Sequence, residues 1–192
     1  MYQTIYSKKD FNMKTNLVLL VFVCLVCLFV SAGSNRAYAQ SSIWVTAYYA
    51  GWMQSALPAS AIDYTAMTHI NYFAIVPNSD GSIDLSGNGV TYNSNAKTLV
   101  TNAHAHGVKV ILTVGGWSTE SAFNGATGTA ATRAIFINNL MNALRQGNYD
   151  GLDIDWEPLA TGDKANYTNL AHDLRDSLTA QNSALLMTIT TQ

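Results

Sequence analysis

The chain has 192 residues, and charged side chains make up only 11% of it, against about 25% in a typical globular protein. The first 39 residues hold four of the 10 basic and one of the 12 acidic residues, so residues 40–192 carry six basic and 11 acidic side chains, a net charge of −5. This excess of acid argues against a nucleic-acid partner and against binding to an anionic membrane. The length fits one domain and excludes a large multidomain protein.

The first 39 residues have the features of a secretory signal peptide. Lys14 precedes an apolar run of 14 residues, Leu17–Val30, and a small-residue cleavage site ends at Ala39. The run is shorter than the roughly 20 residues of a membrane-spanning helix. Since Met13 is a natural start, residues 1–12 are expected to lie upstream of the true start. We therefore expect a secreted protein, extracellular or periplasmic, with no membrane partner after cleavage of the signal.

Both cysteines, Cys24 and Cys27, lie inside this predicted signal. Residues 40–192 contain none, which excludes a disulfide framework and a thiolate metal site. No combination of His, Asp and Glu has metal-ligand spacing, so neither a metal nor a cofactor is expected.

The remaining sequence alternates between strand and helix patterns. In chain order, these predict a strand over 43–52, a short helix over 58–67, a strand over 69–76, a helix over 93–106, a strand over 108–114, a helix over 130–146, a strand over 149–156, a helix over 163–181 and a strand over 184–190. Repeated strand–helix units with apolar strands favour a parallel sheet covered by helices. Periodicity leaves a doubly wound open sheet and a barrel as alternatives, although the G-x-G-x-x-G turn of a dinucleotide fold is missing after the first strand.

One segment combines a strand pattern with an unusual density of acid: Asp150-Gly151-Leu152-Asp153-Ile154-Asp155-Trp156-Glu157. Side chains alternate along a strand, so Asp153, Asp155 and Glu157 share one face. At about 6–7 Å between alternate Cα atoms, neighbouring carboxyl groups can share a proton, and at least one pKa should be raised. A solvated face or a divalent-cation site would explain the acids. Acid–base chemistry is favoured, because unpaired buried charge is too costly for a purely structural role.

This segment closely resembles the Asp-x-x-Asp-x-Asp-x-Glu signature of glycoside hydrolase family 18, the chitinase family, which ends the fourth barrel strand. Residues 113–117, Thr-Val-Gly-Gly-Trp, resemble its Ser-x-Gly-Gly motif with Thr in place of Ser. Residues 47–52 and 69–74 resemble its first two strands. The resemblance covers residues 43–192 and implies an α/β fold, the (β/α)8 TIM barrel. About the first five strands and four helices are expected, so residues 40–192 would be an incomplete catalytic barrel.

The resemblance also implies roles. Glu157 would be the general acid, and Asp155 would hold the substrate's N-acetyl group, whose carbonyl oxygen attacks the anomeric carbon. Asp153 would share a proton with Asp155. The supporting residues would be Tyr48 and Thr113, which hydrogen-bond Asp153; Gly115 and Gly116, which keep the pocket floor open; and Asp150, which has a structural role.

Aromatic residues near the ends of the strands are candidates for contacting sugar rings, since carbohydrate sites combine apolar ring faces with a few polar groups. They are Trp117, Phe73 and Trp52, whereas Trp44 and Trp156 are expected in the core. The leading hypothesis is a hydrolase of β-1,4-linked N-acetylglucosamine polymers, with chitin or its oligosaccharides as partner. The alternatives are an endo-β-N-acetylglucosaminidase acting on glycoprotein or peptidoglycan, and a chitin-binding lectin of the same fold, against which the presence of Glu157 argues.

Overall fold

Five parallel strands and one short antiparallel strand form the sheet. The computed structural model describes residues 43–86 and 93–190. The strands are β1 (Thr46–Ala50), β2 (His69–Pro77), β3 (Ile83–Asp84), β4 (Lys109–Gly116), β5 (Gly151–Trp156) and β6 (Leu186–Ile189). The two-residue β3 pairs antiparallel with the end of β2, and every other pairing is parallel.

The order of the strands decides between the two predicted architectures. Along the sheet the strands run β1-β2-β4-β5-β6, so each new parallel strand is added on the same side of the previous one. A doubly wound sheet instead reverses its direction of growth at a switch point. The described strands therefore have the sequential order of a barrel.

Within the part of the chain that the structure describes, four helices cover the outer face of this sheet: α1 (Ser94–Ala105), α2 (Glu120–Thr127), α3 (Ala130–Gly147) and α4 (Lys164–Gln181). Helix α1 is capped by the Asn93 side chain, which accepts a hydrogen bond from the amide of Ala96. Helix α3 begins at a reciprocal capping box between Thr129 and Thr132. These side chains satisfy amides that have no partner inside the helix, which is why both helices begin where the sequence predicts.

One predicted helix is not formed, and one helix was not predicted. The helix expected over 58–67 is replaced by two 3₁₀ turns, Ala59–Ala61 and Tyr64–Ala66. Between them the Asp63 carboxylate accepts hydrogen bonds from the amide and hydroxyl of Thr65, a local alternative to helical bonding. The other error is α2, which the sequence analysis missed because eight residues with no side-chain cap give a weak pattern.

Helix α2 nevertheless completes the core. Its Phe123 ring stacks on Trp156 of β5 with centroids 4.7 Å apart, and both residues are buried. Leu152 and Ile154 point to the same side as Trp156 and are fully buried. The predicted core position of Trp156 is confirmed, but Trp44 is 50% exposed, because it precedes β1 and stacks on His69 at the sheet's edge.

The described residues from Ile43 onwards form one compact unit. The predicted signal peptide, residues 1–39, lies outside the described residues. Within 43–86 and 93–190, no helix combines the length and the apolar character needed to cross a membrane.

Candidate active site

The inner face of the sheet carries a buried carboxylate at its centre. Asp153 is 1% exposed, and its cross-strand partners are Thr113 on β4 and Thr188 on β6. The Thr188 hydroxyl donates to Oδ1 at 2.7 Å, while the Thr113 hydroxyl and the Asn71 amide nitrogen each donate to Oδ2 at 3.2 Å. Strands β2, β4 and β6 therefore supply donors to one carboxyl group, and the predicted contact of Thr113 with Asp153 is present.

Burial is the dominant influence on Asp153. It raises the pKa of this carboxyl above its ordinary value, although hydrogen bonds from Thr188, Thr113, Tyr48 and Asn71 act in the opposite direction. The Tyr48 hydroxyl thus interacts with Asp153, as predicted, and it also lies 3.2 Å from Oγ1 of Thr190. Tyr48 is 55% exposed, so it borders the site from the open side.

Asp155 occupies the next inward-facing position of β5 and is 5% exposed. Burial, followed by the charges of Glu157 and Asp153, raises the pKa of Asp155 to about 6, and the Thr190 hydroxyl lowers it in part. Within the described residues, its Oδ1 is buried without a hydrogen-bond partner. The predicted raised pKa in this acidic cluster is confirmed, and Asp155 can exchange a proton close to neutral pH.

Glu157 directly follows β5 and is partly exposed. Its backbone carbonyl accepts a hydrogen bond from the amide of Thr119 at 3.0 Å, which ties it to the segment after β4. Glu157 therefore stands at the carboxyl end of the strands, the end at which barrel enzymes bind substrates. Its charge is among the causes that raise the pKa of Asp155, so these two side chains act on one another.

Gly115 and Gly116 end β4 with φ values of +117° and +110°, a region that side chains other than glycine rarely adopt. A Cβ on Gly115 would lie 2.1 Å from the backbone oxygen of Asp155, and a Cβ on Gly116 would lie 2.9 Å from the Phe73 ring. That these glycines keep the pocket floor open for the sugar stays a prediction. The missing side chains make room for the Asp155 backbone and for Phe73.

The aromatic residues predicted to contact sugar are arranged in two places. Phe73 lies edge-on to Tyr48 and Trp52, with ring centroids 6.0 and 5.7 Å away. Trp52 is 53% exposed, and Trp117, which follows Gly116, is 73% exposed. Both indole rings thus offer surface to solvent at the same end of the sheet as Glu157.

Asp150 lies at the opposite end of β5. Its carboxylate accepts hydrogen bonds from Lys109 Nζ at 2.8 Å and from the Val110 amide at 2.8 Å, and it contacts His104 Nε2 at 2.7 Å. These contacts join α1, β4 and the start of β5, and they support the predicted structural role. A cavity of about 330 Å³ beside Asp150 also lies at this end, away from the acidic site.

Asn71, Thr188 and Thr190 are site residues that the sequence analysis missed. Thr188 and Thr190 are two positions apart, so strand alternation puts their hydroxyl groups on one face. That pattern was visible in the sequence, but the register that brings them beside Asp153 and Asp155 was not. No group of three or more His, Cys, Asp or Glu side chains within the described part of the chain is arranged to hold a metal ion.

A parallel sheet in barrel order, with carboxyl groups at the end of its fourth parallel strand, places these groups where (β/α)8 barrels carry their active sites. The model of the family "Glycosyl hydrolases family 18" matches residues 45–192, and the chain belongs to this family. The resemblance predicted from the motifs is confirmed, as is the fold class, a TIM barrel represented here by its first five parallel strands.

Individual relatives agree with this assignment. A chitinase-like effector of Moniliophthora perniciosa is 31% identical over 128 residues, which are 65% of this chain and 28% of the relative. Chitinase A1 of Niallia circulans is 41% identical over 83 residues, 38% of this chain and 12% of the relative. The chain thus spans less than a third of these curated relatives.

A solved structure shows the same fold. It is a family 18 chitinase of Cycas revoluta in complex with (GlcNAc)4, with a TM-score of 0.69 and 19% identity. The match covers 78% of this chain and 46% of the Cycas chain.

Proposed function

We propose that residues 43–192 belong to a catalytic barrel that hydrolyses β-1,4-linked N-acetylglucosamine polymers, with chitin as the leading substrate. The observation that carries this proposal is the row Asp153, Asp155 and Glu157, in which two buried carboxyl groups stand directly before a third at the substrate end of the sheet. The pKa of about 6 at Asp155 provides a group that holds or releases a proton under physiological conditions.

In this proposal Glu157 donates its proton to the glycosidic oxygen as the bond to the anomeric carbon breaks. The carbonyl oxygen of the substrate's own N-acetyl group attacks that carbon, and Asp155 holds the N-acetyl group and stabilises the developing positive charge. Asp153 exchanges a proton with Asp155. Water then opens the intermediate and returns the proton to Glu157, so that hydrolysis is complete with retained configuration.

The net charge of the protein and its exposed aromatic rings both favour an uncharged sugar polymer as the substrate. The net charge of −5 over residues 40–192 does not favour a polyanion. Exposed rings at Trp52 and Trp117 offer flat apolar surface at the same end as Glu157, which suits the faces of uncharged sugar rings. The names of two relatives and the (GlcNAc)4 bound to the Cycas neighbour support chitin oligosaccharides as the ligand.

The test is a product assay on (GlcNAc)4 and longer oligomers, with a high-mannose glycopeptide as the alternative substrate. We expect the wild-type protein to cleave the oligomers and Glu157→Gln to lose at least about 100-fold in turnover while still binding them. Glu120→Gln, at the start of α2, is the matched control and should behave as wild type. Turnover retained by Glu157→Gln would disprove the assignment of the acid, and cleavage of the glycopeptide alone would favour an endo-β-N-acetylglucosaminidase.

A second candidate is binding of the same polymer without hydrolysis, and one relative is accordingly named chitinase-like rather than chitinase. Oligosaccharide binding by calorimetry, with no product from the wild-type protein after prolonged incubation, would favour that function.

Secretion is part of the proposal and is tested separately. Expression in a secreting host, followed by N-terminal sequencing of the exported protein, should give a chain that begins at Gln40. Retention inside the cell with residues 13–39 intact would contradict the predicted signal.

A further inference from the structure

The two inward-facing aspartates of β5 differ in the hydrogen-bond donors around them. In Asp153, Oδ1 accepts a hydrogen bond from the Thr188 hydroxyl at 2.7 Å. Its Oδ2 accepts one from the Thr113 hydroxyl and one from the Asn71 side-chain amide, both at 3.2 Å. Within the described residues, Oδ1 of Asp155 is buried and has no hydrogen-bond partner. Since hydrogen bonds to a carboxylate stabilise its ionised form, the two groups hold charge unequally.

Thr188 and Thr113 both lie directly beside Asp153 in the strand register, and Thr188 makes the shorter contact. Strand β6 pairs with β5 in a register that sets Thr188 directly beside Asp153. The hydroxyl therefore reaches Oδ1 from the adjacent strand and fixes one side of the carboxyl group, while donors from the β2–β4 side fix the other. A carboxylate held from two sides keeps its orientation.

We propose that Thr188 is a positioning residue: before substrate binds, its hydroxyl anchors Asp153 as the ionised member of the Asp153–Asp155 pair and so places their shared proton on Asp155. Its catalytic consequence rests on the proposed function, but the placement of the proton does not, because protonation can be measured without turnover.

Three other titratable groups of the described residues interact with this pair of aspartates. Glu157 follows it on the same strand, Tyr48 approaches from β1, and Tyr167 approaches from α4. Burial, followed by the charge of Asp153, raises the pKa of Tyr167. The remaining donors, Asn71, Thr113 and Thr190, are neutral, so none of them titrates in the range of interest.

The test compares Thr188→Val with Thr188→Ser in the full chain labelled with ¹³C at aspartate Cγ. Resonances are assigned by Asp153→Asn and Asp155→Asn, and both carboxyl groups are titrated by NMR. Removing a hydroxyl that donates to a carboxylate should raise the pKa of Asp153 by about one unit. The apparent pKa of Asp155 should fall at the same time, because the pair titrates jointly. Thr188→Ser keeps the donor and should leave both values within about 0.3 units of wild type.

Two results would overturn the proposal: a Thr188→Val protein in which both aspartates titrate as in wild type, or a Thr188→Ser protein that shifts as much as Thr188→Val. If Thr188→Val does not fold, Thr188→Ala, which removes the hydroxyl together with the γ-methyl group, is the second variant and should shift the pKa of Asp153 in the same direction. Thr113→Val should raise the pKa of Asp153 less than Thr188→Val does, because Asn71 still donates a hydrogen bond to Oδ2.

Kinetics separates this proposal from the proposed function. If the wild-type protein hydrolyses oligomers, the pH profile of kcat for Thr188→Val should move with the NMR values, with KM unchanged. If the wild-type protein has no activity, the proposed function fails, and the NMR shifts still decide the role of Thr188.

Discussion

The hydroxyl of Tyr48 on β1 lies 3.2 Å from Oγ1 of Thr190, which follows β6. These two strands are the ends of the order β1-β2-β4-β5-β6. Four spacings of about 4.8 Å would separate them by about 19 Å in a flat sheet, far more than these two side chains can span. The sheet is therefore strongly curved, and the aspartates of β5 lie in the concavity that the contact closes.

Gly115→Ala should unfold the protein at lower urea concentration. The new Cβ would lie 2.1 Å from the Asp155 backbone oxygen, at a residue whose φ is +117°. We expect a loss of about 3 kcal/mol in the free energy of unfolding. Gly162→Ala is the control, since a Cβ there meets nothing within 4 Å. Equal stability of the two variants would show that β4 and β5 can move apart without loss.

Asp155→Asn should stabilise the protein at neutral and alkaline pH. The folded pKa of about 6 exceeds the value of about 3.9 for an unfolded aspartate, so the protonated form is favoured on folding. The stability that wild type gains from this protonated carboxyl is fully present below pH 4 and is lost as the pH rises through 6. At pH 8 the free energy of unfolding of the variant should exceed that of wild type by about 3 kcal/mol, and this difference should vanish near pH 4. Urea unfolding at both pH values measures this, and an equal difference at pH 4 and pH 8 would contradict the raised pKa of Asp155.

Asp150→Asn should have the opposite pH dependence. Burial raises the pKa of Asp150, but hydrogen bonds from Lys109, the Val110 amide and His104 outweigh it, and the net value is below the ordinary one. The stabilisation is therefore present above the unfolded pKa and is lost as the pH falls through the folded value. At pH 7 we expect the free energy of unfolding of Asp150→Asn to be about 2 kcal/mol lower than that of wild type. This difference should become smaller as the pH falls towards 2. A loss that is the same at both pH values would mean that packing, and not the charge, accounts for it.

Trp117→Ala should weaken oligosaccharide binding and leave stability unchanged. The ring is 73% exposed and follows Gly116 at the carboxyl end of the strands. A roughly tenfold loss of affinity for (GlcNAc)4, about 1.4 kcal/mol, is expected by calorimetry. Trp44→Ala is the matched control, because Trp44 is half-exposed and precedes β1 at the opposite end of the sheet. If both variants bind as wild type does, Trp117 is not part of the sugar site.

Prediction from the sequence succeeded where local pattern decides structure. Strand alternation over residues 150–157 identified which side chains of β5 face inwards. The hydrogen bonds of Asp153 to Thr113 and Thr188, and the packing of Trp156 on Phe123 at the other face, agree with it. It failed over 58–67, where the Asp63 side chain competes for the backbone. It also failed at α2, where eight residues with weak periodicity depend on Phe123 packing against Trp156.

The sequence by itself determined the order of strands and helices, the inward row of carboxyl groups and the family, since each depends on neighbouring residues or a linear motif. Only the tertiary structure decided the barrel order of the strands. It also decided that the Asp155 backbone and the Phe73 ring occupy the space beside Gly115 and Gly116, and that the hydroxyl groups of Thr188 and Thr190 lie beside the aspartates. The physical reason is register. A hydrogen bond between strands depends on how the two strands align, and that alignment follows from packing across the whole sheet rather than from either segment alone.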